Sequence, residues 1–426
     1  MTNSQEFTKA APIIHTLNEA GYEAYFVGGA VRDLLLDLPI HDVDIATSAY
    51  PAEVQALFPR HFDVGLDHGT IMVWFEGETY EITTFRTEST YQDYRRPDKV
   101  TFVQNLEEDL LRRDFTINAL AMNPDHKIVD YFHGQKDLAD QVIRAVGNPH
   151  DRFNEDGLRM MRGVRFASQL DFQIEAETLV AIAENAGILV HIAVERIAVE
   201  MNKLWIGVNW HKGLDYFLET DLIQYVPYLA NYKAVFTDLL GHTSDQVQIP
   251  NENFAWALFF WRAFERNGKE DLAAIQQQVR QFTKAWKMSN KAQKDILAYL
   301  DILIYRAQAA EWTLVDLYGR DRDQLVLVEG FIEAQQAAGQ EGFKAVFKQP
   351  KVQVVQDLFD QLPIQSLRDL AINGQDIIQE INPENKRAIG QMLQFLEQAV
   401  VAQDVVNDRA ALLAYLDTHH DQINEI

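Results

Sequence analysis

Apolar and polar positions follow two rhythms along this chain, and the rhythm changes near residue 150. Before that point short helical and alternating stretches interchange. Ile13, Ile14 and Leu17 share one side of a helix predicted over residues 1–22, which Gly21 can end. AYFVGG (24–29) reads as a strand entering a glycine turn, AVRDLLLDL (30–38) as a helix stopped before Pro39, and HDVDIAT (41–47) as a strand. PAEVQALF (51–58) opens on the proline that suits a first helical turn. TIMVWFEGETYEITTFR (70–86) predicts a hairpin turning near Glu76-Gly77-Glu78. Residues 87–105 carry mixed charge without clear period and read as a loop; EDLLRRDFTINALAM (108–122) reads as a helix and KIVDYF (127–132) as a strand.

Beyond residue 150 strand signals nearly vanish and helical spacing takes over. Asn382 and Pro383 make an N-cap and first helical position, followed by Ile389, Leu393, Leu396 and Val400. GRDRDQ (319–324) and INGQD (372–376) read as breaks between helices. The expected fold class is α+β: a mixed-sheet head of about 150 residues followed by an all-helical remainder.

Composition narrows this picture. A length of 426 residues with 47% hydrophobic positions predicts two to four domains with real cores. With no cysteine, disulfides, thiolate metal sites and cysteine nucleophiles are excluded, which fits a reducing compartment; we expect a cytoplasmic protein. The N-terminus lacks a secretory pattern, and the greasiest run, AWALFFWRAF near residue 254, is too short for a membrane span and predicts a buried helix. A net charge of -25 opposes any protein that coats nucleic acid through a generally basic surface. Binding RNA would then require a local basic strip.

Candidate chemistry begins with GGAVRDLLLDLPIHDVDIAT (28–47). Asp42 and Asp44 stand two apart on a predicted strand, so their carboxylates share a face and repel unless a cation lies between them. A divalent metal, with Mg²⁺ favoured by oxygen ligands and phosphate substrates, is the economical explanation. Gly28 and Gly29 permit close approach of a phosphate to the backbone, and Arg32, one turn into the helix, can clamp a phosphate oxygen. A lone glycine pair is usually a turn and a lone D-x-D a solvated edge; the combination in one strand-helix-strand unit is what is uncommon. The dinucleotide-binding spacing G-x-G-x-x-G is absent.

Farther along, Asp156, Arg159, Arg162 and Arg165 recur every three residues in NEDGLRMMRGVRFASQL (154–170). Such a stripe is often a solvent face, yet it also supplies local positive charge in an acidic chain. An Asp-Arg pair can read bases: the carboxylate accepts from an exocyclic amine while the guanidinium donates to a ring acceptor. Cytosine and adenine satisfy both; uracil and guanine place a carbonyl against the carboxylate.

The 28–47 stretch resembles the signature of the DNA polymerase β nucleotidyltransferase superfamily, and more narrowly of class II tRNA nucleotidyltransferases and bacterial poly(A) polymerases. The resemblance implies that Gly28, Gly29 and Arg32 hold a triphosphate and that Asp42 and Asp44 bind catalytic metals. Glu81, on a neighbouring strand, matches a third superfamily carboxylate; an ion pair with an arginine is the other reading. Residues 84–102, with Arg86, Arg95, Arg96 and Lys99, correspond to a flexible element that helps switch specificity from C to A. RRDFTINA places Arg113 and Asp114 at a helix start with Asn118 on the same face; the resemblance associates them with nucleotide sugar and phosphates. E-D-x-x-R-x-x-R falls on Glu155, Asp156, Arg159 and Arg162, implying CTP and ATP selection by protein side chains, with Arg162 and Arg165 near base and phosphates. Glu195, Arg196 and Glu200 match E-R-x-x-x-E and are expected to brace that helix.

LRDLAINGQDI (367–377) is similar to the tail of the CCA-adding enzymes of Gram-positive bacteria. The implied organisation is a polymerase β-like head (1–150), neck (151–220), body (221–310) and tRNA-binding tail (311–426). The implied activity is template-independent addition of C, C and A to tRNA. Poly(A) polymerase, A-only addition and a catalytically inactive RNA-binding protein remain alternatives, and a homodimer is an open assembly. His420-Asp421 and His150-Asp151 lack the surroundings of a metal phosphohydrolase cluster.

Overall fold

The structure, a computed structural model, describes residues 5–40, 42–92, 96–268, 271–309, 311–381 and 386–419. The chain forms two compact units, Met1–Thr237 with Phe282–Met288, and Asp238–Gln281 with Ser289–Ile426.

The first unit is built on a seven-stranded mixed sheet. Helix α1 (Gln5–Glu19) buries Phe7, Ile13, Ile14 and Leu17 and leads to β1 (Ala24–Val27). Helix α2 (Gly29–Leu35), β2 (Asp44–Thr47) and α3 (Pro51–Leu57) follow. Strands β3 (His61–Gly65), β4 (Thr70–Phe75) and β5 (Glu78–Thr84) form one edge. Glu76 and Gly77, both at positive φ, turn the β4–β5 hairpin where expected. Strands β6 (Arg86–Gln92) and β7 (Arg96–Phe102), helix α4 (Leu106–Leu111), and β8 (Ala121–Met122) with β9 (Ile128–Val129) complete the head. The sheet order is β3-β4-β5-β2-β1-β8-β9, with β2 parallel to β5 and the other pairs antiparallel.

Four expectations need correction. Residues 87–105 are not simply a loop: β6 and β7 pair antiparallel as a separate two-stranded sheet. The segment has few apolar residues, so its strand period carries almost no hydrophobic signal. The helix expected over 108–122 ends at Leu111, and a 3-10 turn (Thr116–Asn118) and β8 replace its second half. Phe115 to Met122 are all buried, so this run has no polar face on which to display either rhythm. Arg113 and Asp114 therefore follow a helix end instead of starting one. Asp42 lies just before β2 and not within it, although burial still alternates from exposed Asp42 through buried Val43 to exposed Asp44. Finally, the helix expected through residues 154–170 is two: α5 (Gly134–Ala139) precedes α6 (Pro149–Glu155), and α7 (Leu158–Leu170) starts after a break at Asp156 and Gly157. A Cβ on Gly157 would lie 2.7 Å from the Ile188 side chain, so this break needs a glycine at its tight packing point.

Helices α8 (Ala176–Asn185) and α9 (Val194–Trp205) pack around α6 and α7. In the second unit, the run near residue 254 is a buried helix, Glu252–Arg266, capped by Asn251. Arg306 and Glu329 form a buried pair at 2.6 Å; Trp312 Nε1 and the Lys351 amide also donate to Glu329. Asp321 and Asn373 cap helices at the expected breaks. A separate apolar core contains Leu396, Val400, Leu412 and Leu416, with Ile389 and Leu393 packed against it. Asn382, Pro383, His41, Arg95, His420 and Asp421 lie outside the described residues.

Candidate active site

The neighbouring interior strands β1 and β2 bring the first motif together. Val27, the last residue of β1, pairs with Asp44, so the glycine turn and this aspartate are adjacent by register. Gly28 has φ 77° and ψ -136°, a region that side chains strongly disfavour, and a Cβ there would lie 2.7 Å from Arg113 Nη1. The backbone conformation favours glycine, and a side chain here would also displace the Arg113 guanidinium. The Gly28 amide donates to Leu120 O at 3.1 Å, tying the turn to the segment that carries Asp114 and Asn118.

Asp42 and Asp44 are exposed, and among the described residues neither has an ion-pair or hydrogen-bond partner. Loss of hydration raises the Asp44 pKa; Arg113 opposes this and Asp42 adds to it. Because Ile45 pairs with Ile82 in parallel register, Glu81 neighbours Asp44 across the strands. Its pKa is likewise raised, by desolvation and then by Asp44 and Asp42. No ion pair of Glu81 occurs among the described residues. Neither do any three His, Cys, Asp or Glu side chains there close into a cluster that could hold a metal ion. Two exposed, mutually repelling, unpartnered carboxylates nevertheless fit a hard divalent cation whose other ligands come from substrate and water.

The facing wall is cationic. A cleft of about 440 Å³ is lined by Gly28, Gly29, Asp44 and seven arginines, against two further aspartates. In a chain of net charge -25 this concentrates the positive field in one place. Arg32 Nη1 donates to Asn118 Oδ1 at 2.6 Å and Nη2 pairs with Asp33 at 2.7 Å. Asn118 Nδ2 donates to Asp114 Oδ1 at 3.0 Å, and Arg162 Nε donates to Asp114 Oδ2 at 2.6 Å. Burial alone would raise the Asp114 pKa, but Arg162, Asn118 and the Phe115 amide together hold it well below the carboxylate range. The motif residues Arg32, Asp114, Asn118 and Arg162 thus form one chain of hydrogen bonds. Arg165 pairs with Glu200 at 2.7 Å; loss of hydration, with Arg162 and Arg32 nearby, pulls its pKa down to about 10.

Asp156 and Arg159 line the same cleft but are not paired with each other. Asp156 accepts from Arg196 at 2.6 and 3.3 Å and from the Leu158 amide at 3.0 Å. Arg159 donates to Glu155 at 2.6 Å and to the carbonyl oxygens of Arg152 and Arg112. The arginine stripe is not a solvent face: Arg159 and Arg165 are 8% and 7% exposed. Arg196 and Glu200 brace opposite ends of the stripe, while Glu195 turns to Lys287.

Three contributors escaped sequence reading. Arg112 lines the cleft beside Arg113, and the arginine doublet was a usable signal. Asp109 is buried and accepts from Arg112 and the Arg86 amide, with Arg113 3.6 Å away; its acid-base spacing on α4 could have exposed it. Phe166 lies in the cleft, although in the sequence it is only one apolar position among the arginines.

A mixed sheet presenting a glycine turn and paired carboxylates to an arginine wall defines a nucleotidyltransferase. Residues 24–144 match the model described as the poly A polymerase head domain, 171–233 the probable RNA- and SrmB-binding site of polymerase A, and 247–416 the putative tRNA nucleotidyltransferase domain 2. The chain is 45% identical to the CCA-adding enzyme of Enterococcus faecalis over 97% of this chain and 96% of that protein. It is 46% identical to the CCA-adding enzyme of Lactiplantibacillus plantarum, covering 96% of each. The structure of the Bacillus stearothermophilus CCA-adding enzyme in complex with CTP superposes with a TM-score of 0.84 at 37% identity, covering 99% of both chains. The Thermotoga maritima CCA-adding enzyme complexed with tRNA shares the fold, with a TM-score of 0.57 at 19% identity over 96% of this chain and 94% of that one. This chain belongs to the CCA-adding enzyme family.

Proposed function

We infer that this protein adds C, C and A to the 3′ end of tRNA, using CTP and ATP, releasing pyrophosphate and needing no nucleic-acid template. The observation that carries this reading is the single cleft. It holds together the glycine turn, Asp44, the arginine wall and the Asp156–Arg159 segment, all from one chain. A homodimer is therefore not required to complete the site. The family relatives at 45–46% identity supply the substrate class. The working compartment is the cytoplasm.

In this reading Gly28 and Gly29 admit the triphosphate, and Arg32 and Arg113 balance its charge. Asp114 and Asn118 hold the sugar and position Arg32 and Arg162. Asp42 and Asp44 would hold Mg²⁺, which when bound would lower the pKa of the attacking hydroxyl and neutralise phosphate oxygens. The RNA 3′ oxygen forms a bond to the α-phosphorus as the bond to the pyrophosphate oxygen breaks. Asp156 and Arg159 select cytosine and adenine, and Arg162 and Arg165 sit near base and phosphates. Arg196 and Glu155 hold the selecting pair apart until a base arrives between them. Residues 1–150 act as catalytic head, 151–220 as neck, 221–310 as body and 311–426 as the tRNA-binding tail.

The test is incubation with Mg²⁺ and tRNA lacking its last three nucleotides. CC with CTP alone, and CCA with CTP and ATP together, are expected. A alone on CC-ended tRNA would make this an A-adding enzyme, long adenylate tails a poly(A) polymerase, and no product an RNA-binding protein.

A further inference from the structure

Three arginines of the cleft converge on one aromatic ring. The guanidinium carbons of Arg32, Arg162 and Arg165 lie 5.1, 5.4 and 4.0 Å from the centroid of Phe166. All three distances fall within the range in which a cation is attracted by the negative face of an aromatic ring. Arg32 comes from α2 and the other two from α7, so the ring joins elements of the head to the helix that carries the selecting arginines. Phe166 is 4% exposed, and its ring meets Phe115 edge to face at 5.9 Å and 86°. Phe115 is in turn packed 3.2 Å from the position a Cβ would take on Gly163. The ring cannot swing away without disturbing α7.

Each arginine also has its own anionic partner: Asp33 for Arg32, Asp114 for Arg162 and Glu200 for Arg165. Asn118 and Asp114 link Arg32 to Arg162 by hydrogen bonds, while Arg165 makes its own pair with Glu200. Phe166 is the one side chain whose ring lies within cation–ring distance of all three. A leucine would fill similar space and bury similar area, but it has no quadrupole to offset repulsion among three cations.

We propose that Phe166 is a positioning residue for the triphosphate: its ring holds Arg32, Arg162 and Arg165 converged before an anion arrives. The inference rests on the nucleotidyltransferase reading of this cleft and adds a residue to it. Holding the cations together in the free protein removes a reorganisation cost that binding would otherwise bear. The ring itself touches no reacting atom in this account, so it acts through the arginines.

The test uses the full chain with Phe166 replaced by 4-fluoro-, 3,5-difluoro- and 3,4,5-trifluorophenylalanine. These nearly keep the ring's shape while progressively weakening its negative face. Binding of inorganic tripolyphosphate and of CTP is measured by calorimetry, with kcat and KM for C addition, and thermal melting checks folding. The expected result is a stepwise loss of tripolyphosphate affinity, linear in log Kd against fluorine count, reaching about tenfold. KM should follow it while kcat changes less. Phe166→Leu should match or exceed the trifluoro variant, and Phe166→Tyr should stay near the parent. Normal tripolyphosphate affinity across the fluorine series overturns the inference, since a volume-filling ring would give that result. If the unsubstituted protein binds neither tripolyphosphate nor CTP, the nucleotidyltransferase reading fails with it. If it binds both but extends no tRNA, only the reaction assigned to the cleft is lost.

Discussion

The two sides of the cleft are built on opposite principles. On the sheet side, Asp42 and Asp44 are exposed and lack partners among the described residues; the pKa of Asp44 and that of neighbouring Glu81 are raised. On the helical side, Arg32, Arg159, Arg162, Arg165 and Arg196 are each matched to a carboxylate. Unpaired like charges make the first side a poor place to remain empty, and they favour capture of a cation. Paired and partly buried charges make the second side rigid, and an arriving anion meets groups already in place. The contrast separates where the site binds by relieving repulsion from where it binds by preorganisation.

Breaking the sheet side should have the largest effect. Asp42→Ala or Asp44→Ala should slow single-turnover C addition by about 1000-fold or more, since a cation site contributes several kcal/mol of charge stabilisation. CTP binding through the arginine wall should persist, as read by calorimetry. Equal loss of binding and turnover would mean the two sides are not separable.

Next is the pair proposed to select the base, Asp156 and Arg159. Asp156→Ala should lose about 100-fold of the discrimination against UTP, measured as a ratio of kcat/KM values. Arg196→Ala, which removes a cleft arginine but leaves the Asp156 carboxylate in place, should lose less. Unchanged selectivity in both would remove Asp156 from base reading.

The pairing on the helical side can be tested through stability. Asp114→Asn should cost about 2–3 kcal/mol in urea unfolding, less than a fully buried pair because a third of Arg162 faces solvent. The folded Asp114 carboxyl lies below its unfolded value, ordinarily about 3.9. Its contribution is therefore fully present above that value and is lost as pH falls through the folded pKa. Stability from this group should be flat from pH 5 to 8, with the difference between parent and variant shrinking only in stronger acid.

The smallest effect has the opposite sign. Asp44 has a raised pKa, so the folded protein disfavours its charged form at neutral pH. The stability penalty is present above the raised folded pKa and fades as pH falls through it toward the unfolded value. Asp44→Asn should therefore raise the metal-free melting temperature at pH 7–8 by on the order of 1 °C. Adding a divalent cation should stabilise the parent and leave the variant unmoved. A variant less stable than the parent without metal would show that Asp44 has a cationic partner after all.

Some of this was readable along the chain and some was not. The β1 turn, β4–β5 hairpin and buried helix at Glu252–Arg266 show short-range patterns: a glycine pair, a Glu-Gly turn, a continuous apolar run. The β6–β7 hairpin did not, because its strands pair only with each other and carry few apolar residues to reveal their period. The stretch from Phe115 to Met122 misled because burial on every side erases the contrast between faces.

For the site, residue type and spacing singled out Gly28, Gly29, Arg32, Asp42, Asp44, Asp156, Arg159, Arg162 and Arg165 as candidates, and the family resemblance added Arg113 and Asp114. Only the tertiary structure decided their partners. It joined Arg162 to Asp114 across 48 positions, set Asp156 against Arg196 rather than Arg159, and gathered three arginines around Phe166. The reason is physical. Spacing of three or four residues reports which side chains share a helix face, but ion pairs and cation–ring contacts depend on distances between elements, which only packing of the chain establishes.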